Sequence, residues 1–435
     1  MTLLDLFPSL RSVGVPRLDS ALWPVETHYD DHGRVTVAGV GLADVADQYG
    51  TPVCVVDEAE VRGRCRAYRE RFPEAEIVYA GAALMTGAVV RWVAEEGLSV
   101  GVGSAGELAT VLAAGVDPAR ILVHGTGKTR EDLVTAIGAG VGRIVVGSLA
   151  EIGSLGAVVD ASRAPQPVLL RVSPGIEVRP VVPSGFPLAG TSCAEAIARA
   201  LTQPRLRVSG LHCHLGSQIH DPDHYGEAIR RMVAEMARVR REHGHLMTEL
   251  DLGGGHAVAS RGGDAEMNLY ELADILDDAL DAACVRHRFP RPRIVMEPGR
   301  AIVARAGVTV YRVVSVEHGD DGRVFVTVDG AASEHCGRTT RPGHDAVVAN
   351  RHTCGPRMVV TVLGRGGGVV ADDVRLPADL HPGEVLAVPC TGAHQHSPAQ
   401  YGVTRPPIVA LRDGRSRRIV RRETIADLLV RDVAY

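Results

Sequence analysis

Three stretches of this 435-residue chain carry residue types that could do chemistry. Asp251-Leu252-Gly253-Gly254-Gly255 sets three consecutive glycines after an expected strand. Bare backbone N–H groups in such a loop can receive an anion. Glu297 follows the apolar run Ile294-Val295-Met296, so its carboxylate would stand at a strand end and could accept a hydrogen bond from a protonated ring nitrogen. His214, in His214-Leu215-Gly216-Ser217-Gln218, could stack on a flat ring. Each also has a plainer account taken alone: a tight turn, a salt bridge to Arg300, a satisfied core histidine. Lysine, the residue that forms Schiff bases, occurs once, as Lys128. Codon bias in a GC-rich genome explains that scarcity without any functional cause.

These residues need elements that bring them together. From residue 52 onward, short apolar runs alternate with amphipathic segments. Pro52–Asp57 reads as a strand and Glu58–Arg71 as a helix. Strands are then expected at 76–80, 99–102, 121–124, 143–146, 168–172, 208–214, 249–252 and 293–296. Helical patterns separate them, at 105–114, 130–139, 149–161, 194–202, 225–243 and 269–283. Strands separated by helices pair in parallel. Eight of them predict an α/β fold with a closed (β/α)₈ TIM-type barrel, whose function sits at the C-terminal strand ends. An open doubly wound sheet is the alternative. After Arg300 the pattern becomes strands joined by Gly-, Pro- and Asp-rich turns. The expected division is 1–45 and 305–435 in a mainly β domain, with 46–304 forming the barrel.

Composition narrows the classes. The net charge of −5 gives a nucleic-acid partner no electrostatic support. No apolar run approaches the length of a membrane span, and the start lacks the apolar core of a signal peptide. The 8 cysteines are scattered singly, which suits reduced thiols and a cytoplasmic protein.

Read in order, the strand-end motifs resemble a family. They are Tyr-Ala-Gly-x-Ala (79–83), Gly-Glu-Leu (106–108), His-Gly-x-x-Lys (124–128), His-Leu-Gly-Ser-Gln (214–218), Asp-Leu-Gly-Gly-Gly (251–255), Glu-Pro-Gly-Arg (297–300) and Thr-Gly-Ala (391–393). The chain resembles the fold-type-III, alanine-racemase-like pyridoxal-phosphate decarboxylases, and most of all diaminopimelate decarboxylase, over roughly residues 45–430. The resemblance implies pyridoxal 5'-phosphate as cofactor, an amino-acid-like substrate, and a homodimer with active sites at the subunit interface. It places Glu297 at the pyridine nitrogen and His214 on the ring. It places Ser217, Gly253, Gly254, Gly255, Gly299 and Arg300 around the phosphate. The chemistry it implies is loss of CO₂ from an amino acid.

The chain departs from the family at several reactive positions. Ala82 stands where the Schiff-base lysine belongs, and Gly101 where an aspartate is expected. The Cys-Glu pair of the substrate pocket aligns with Gly364-Arg365, the tyrosine after Gly-Ala is His394, and a Ser-Lys-Phe-Gly segment has become Ser184-Gly185-Phe186-Pro187. An engineered lysine-to-alanine change accounts for Ala82 alone, whereas natural divergence accounts for Ala82, Gly101, Gly364, Arg365 and His394 together. Arg365 reverses the charge expected at the substrate's far end, which predicts a ligand other than diaminopimelate, anionic or neutral at that end. An arginine pointing to solvent fits the same position. Lys128 is a remote candidate to replace the lost lysine. The competing reading is a non-catalytic or repurposed relative that binds a ligand or protein partner, or one that runs lysine-independent chemistry with His214 or His394 as acid–base. No metal is assigned. His394-x-His396, with His335-Cys336 and His352-x-Cys354, is the one group weighed for that role.

Overall fold

The computed structural model describes residues 18–159, 164–176, 178, 185–188, 190–331, 344–394, 403–430 and 432–433. The chain forms two compact units: Arg62–Val258 with Ala265–Ile302, and Met1–Val61 with Ala259–Asp264 and Val303–Tyr435.

The first unit is a closed parallel barrel. Its strands are β1 (Glu76–Ala80), β2 (Ser99–Val102), β3 (Ile121–Val123), β4 (Arg143–Val146), β5 (Gln166–Ser173), β6 (Leu206–His212), β7 (Glu249–Asp251) and β8 (Arg293–Met296). Neighbours pair in parallel around the ring, which closes through β8 to β1 and β4 to β5. A two-residue strand at Phe186–Pro187 adds to the outer edge of β5. The helices between them are those the periodicity predicts, with ends shifted by a few residues. The longest, Asp223–His243, buries Tyr225, Ala228, Ile229, Met232, Val233, Met236 and Val239, the repeat of a helix with one face on a sheet. Helix starts carry side-chain caps at Thr86, Ser104, Thr129, Ser148 and Asn268.

Residues two apart on a strand share a face, so the barrel interior is layered. Its middle is apolar, with Val78, Leu122, Val145, Leu169 and Val295 packed into one cluster. Two residues earlier, at the N-terminal end, lie Glu76, Arg143 and Arg293, joined there by Ser99 and Glu249. Arg143 bonds Glu249 at 2.6 Å and also reaches Glu76. Arg293 meets Glu76 at 2.8 Å, and Ser99 Oγ donates to Glu76 at 2.7 Å. This ionic plug closes one end and leaves the other for chemistry.

The second unit is mainly β, built on a sheet around the long strand Gly307–His318. Val53–Asp57, placed with the barrel on sequence grounds, belongs to this sheet. It pairs antiparallel with Gly307–Val310 and parallel with Ile408–Leu411. Its continuous apolar run cannot distinguish a barrel strand from a strand buried in a sandwich. Two apolar clusters hold the unit, one around Trp23, Val35, Val53 and Val308, the other around Tyr311, Val326, Val362 and Leu386. No helix among the described residues is long and apolar enough to cross a membrane.

Candidate active site

One step of two residues beyond the apolar layer, the barrel interior turns polar. Leu122 leads to His124, Leu169 to Arg171 and Val295 to Glu297. Strand register completes the layer: Arg171 is opposite His212, and His212 is opposite Asp251. The sequence reading marked Glu297, left His124 and Asp251 as parts of motifs, and left Arg171 and His212 as unremarked positions within expected strands. Counting in twos from the interior valines and leucines was the signal that would have found them.

The groups interact closely. His124 Nε2 stands 3.0 Å from Glu297 Oε1 and His212 Nε2 stands 3.6 Å from it. The two imidazole rings are tilted against each other with centroids 5.3 Å apart. Burial drives His124 down to about 4 and His212 well below its usual range, so both rings are neutral at pH 7. Burial also raises Glu297 to about 7 and Asp251 well above the carboxylate range, with the Glu297 charge adding to the rise at Asp251. The nearby Arg171 guanidinium partly offsets that rise at Glu297. His124 Nε2, His212 Nδ1, Asp251 Oδ2 and Glu297 Oε1 are buried without a hydrogen-bond partner among the described residues, an unusual concentration of unmet polar capacity.

The glycine loop is held by its neighbours. Gly253 (φ +67°) donates to Asp251 Oδ1 at 2.9 Å and accepts from Glu297 N at 2.8 Å. A Cβ on Gly254 would lie 2.2 Å from the Glu297 carbonyl oxygen, so only glycine lets the two loops meet. Tyr225 Oη donates to the Gly254 carbonyl at 2.9 Å. No partner takes the Gly254 and Gly255 amides among the described residues. Gly299 packs on the β1 end, where a Cβ would meet Ala80 and Ala83. His214 and Ser217 are exposed at the mouth, and Arg300 is half-buried.

Ala82 is exposed in a short turn, Gly81–Ala83, directly after β1. Ala80 is in register with Gly101. The space a Cβ on Gly81 would take is filled by the Met85 methyl, and a side chain on Gly101 would rest on the His124 ring, 3.5 Å away. Two strand ends that carry an amine and an acid in the implied family here carry methyl groups and bare backbone. Lys128 does not substitute. Its ammonium is buried, paired with Glu151 at 2.9 Å, and donates to the Gly125 and Val145 carbonyls at 2.7 Å each.

Arg365 and His394 lie in the β unit. Arg365 is exposed at the start of a glycine-rich turn, where its amide donates to the Gly330 carbonyl at 2.6 Å; His394 has φ +63°. Ser184, His335, Cys336 and His396 lie outside the described residues. His352 and Cys354 are described, and the metal-ligand cluster found among the described residues is a different one, His124, His212 and Glu297.

Residues 58–304 match the family described as pyridoxal-dependent decarboxylase, pyridoxal binding domain. The chain belongs to this family. It is 46% identical to a diaminopimelate decarboxylase of Actinosynnema pretiosum subsp. auranticum, over all of both chains. It is 35% identical to that of Mycobacterium tuberculosis, over 95% of this chain and 98% of the relative. Its fold matches a crystal structure of diaminopimelate decarboxylase from M. jannaschii in complex with L-lysine, with a TM-score of 0.87 over 95% and 99% of the two chains at 24% identity.

Membership makes pyridoxal phosphate the group to test against this site. The buried acceptor on Glu297 and the unpartnered glycine amides suit a pyridine nitrogen and a phosphate. At position 82, where the resemblance expects the covalent amine, the chain has alanine, and the sole lysine is paired with Glu151.

Proposed function

We propose that this protein is a decarboxylase-family member that holds pyridoxal phosphate non-covalently and receives an amino-acid-like ligand other than diaminopimelate. The observation that supports this reading is a buried Glu297 acceptor and Gly254 and Gly255 amides without partners among the described residues, in a chain whose sole lysine is paired with Glu151. Glu297 offers its carboxylate to the ring nitrogen, Gly254 and Gly255 offer amides to the phosphate, and the exposed His214 ring is available to stack. Bound there, the cofactor supplies an electron sink for chemistry at the α-carbon of an amino acid.

The chain's own residues would do the rest. Asp251 and Glu297 keep a proton at the ring-nitrogen pole, because burial raises both carboxyls. Arg171 provides the facing positive charge. Neutral His124 and His212 add no charge at neutral pH. Support for a changed ligand comes from Gly364 and Arg365 in place of a cysteine and an acid, and a homodimer accords with the family reading.

The test is an absorbance titration with pyridoxal phosphate on this chain and on Ala82→Lys. The expected result is saturable binding to both, with a long-wavelength band of covalently attached cofactor in Ala82→Lys alone. Binding by neither protein overturns the reading and leaves only the fold.

A further inference from the structure

The three glycines of the 253–255 loop have no side chains of their own, so whatever fixes their peptide planes acts from outside. Two carbonyl contacts do so. Tyr225 Oη donates to the Gly254 carbonyl at 2.9 Å, and Ile219 N donates to the Gly255 carbonyl at 2.9 Å. In a planar trans peptide the N–H points away from the C=O. Each contact therefore turns the next amide, that of Gly255 and that of His256, to the opposite side. Neither amide has a partner there among the described residues.

His256 carries the first side chain after the glycines, and it is buried. Its ring is stacked on Tyr68, with centroids 5.6 Å apart and planes 14° apart, and meets the Tyr225 ring edge-on at 5.3 Å and 64°. Burial lowers its pKa to about 4, so the ring is neutral at pH 7. Tyr68 Oη lies 2.8 Å from His256 Nδ1. This is the one hydrogen bond of the Tyr68 hydroxyl among the described residues, so the hydroxyl donates and Nδ1 accepts. His256 Nε2 has no partner among them, which leaves the bond from Tyr68 to orient the ring. We infer that His256 is a positioning residue for the anion-receiving loop. Held by Tyr68 and wedged against Tyr225, it keeps the Tyr225 hydroxyl on the Gly254 carbonyl and so aims the Gly255 amide at the phosphate of a bound cofactor. The side-chain amide of Gln218, paired with both backbone groups of Val258 at 2.9 and 3.1 Å, closes the same loop from its far side.

The inference rests on the cofactor reading above, and the test keeps the two apart. The ligands are pyridoxine 5'-phosphate and pyridoxine, the same ring with and without the phosphate and with no aldehyde to react with an amine. Equilibrium dialysis of the full chain against each gives two affinities, and their ratio measures what the phosphate contributes. The measurement is repeated on Tyr68→Phe, His256→Leu, His256→Asn and Tyr225→Phe, with thermal unfolding to show that each is folded. Tyr68→Phe is the decisive variant, because it removes one hydroxyl and keeps the ring on which His256 stacks. His256→Asn is the conservative variant, because it keeps an acceptor at the Nδ1 position.

The ratio should fall about tenfold in Tyr68→Phe and in His256→Leu, the scale of one hydrogen bond. It should recover in His256→Asn, while the affinity for pyridoxine stays at the native value throughout. Tyr225→Phe should lose at least as much, since its hydroxyl makes the contact with the loop. An equal loss for both ligands means that His256 supports the fold alone, and overturns the inference. An unchanged ratio in folded Tyr68→Phe and Tyr225→Phe also overturns it and leaves the cofactor reading standing. A native chain that binds neither ligand, or binds both equally, overturns the inference together with the cofactor reading.

Discussion

Replacing Gly254 by alanine places one methyl group between two loops that touch through backbone. The added Cβ would sit 2.2 Å from the Glu297 carbonyl oxygen and 3.0 Å from its carbonyl carbon. Ordinary contact begins near 3.4 Å, so one loop must retreat by about 1 Å. Neither neighbour is a flexible side-chain tip, and overpacking of this kind costs about 1–3 kcal/mol. For a unit of this size each kcal/mol moves Tm by about 2–4 °C, so Gly254→Ala should lower Tm by several degrees. The same shift moves Glu297 and the 254–255 amides, and pyridoxal phosphate affinity should fall about tenfold for each 1.4 kcal/mol lost. Gly138→Ala is the matched control. Nothing lies within 4 Å of its added Cβ, and it sits inside the helix Arg130–Ala139, where alanine is favoured over glycine by about 0.5–1 kcal/mol. Scanning calorimetry and equilibrium dialysis on the two variants should give changes of opposite sign in Tm and a loss of affinity in Gly254→Ala alone. An unchanged Tm and affinity in Gly254→Ala would refute the argument that the loops define the cradle.

Arg143→Ala should destabilise the barrel by about 1–3 kcal/mol, because the half-buried Glu76 and Glu249 lose their nearest guanidinium and keep only Arg293 as a common partner; denaturant melts measure it. Arg143 holds Glu76 below its usual range, so Glu76 contributes stability at neutral pH that is lost as pH falls through its lowered folded pKa. His124 and His256 titrate near 4 and His212 lies well below 6.5. These depressed pKa values contribute stability that is full above about 6.5 and lost on acidification towards 4. Glu297, raised to about 7, and Asp251, also raised, act in the other direction, contributing most at low pH and losing it as pH rises. With His214 also lowered to about 4 and Asp57 raised to about 6, four imidazoles against three carboxyls predict a net fall in Tm from pH 6.5 to 4.5, shallower in His124→Gln; a flat profile contradicts the assignment. Arg365→Glu should shift ligand preference towards a cationic distal group in a competition binding assay, and unchanged preference would remove Arg365 from the ligand's surroundings.

The barrel was legible because its strands and helices follow two different periodicities, and because eight parallel strands have few ways to close. Glu297 and the glycine loop were legible for a related reason: a charged break after an apolar run, or a run of glycines after a short strand, marks a strand end. Val53–Asp57 was not, since four buried apolar residues in a row before Asp57 carry no sign of which sheet they join. His212 was passed over in favour of His214, two residues on. The sequence gives both the same parity, and only the strand's end at His212 separates a buried ring from an exposed one. Arg171 was missed because a lone arginine in a strand reads as an outward residue until register sets it beside His212 and Asp251.

The central claim is a cofactor pocket without a covalent anchor. Borohydride reduction in the presence of pyridoxal phosphate, followed by intact mass measurement, tests it most directly. The account predicts no mass gain for this chain, although dialysis shows the cofactor bound, and a single pyridoxyl addition for Ala82→Lys. A stoichiometric addition to the native chain, mapping to Lys128, would contradict it.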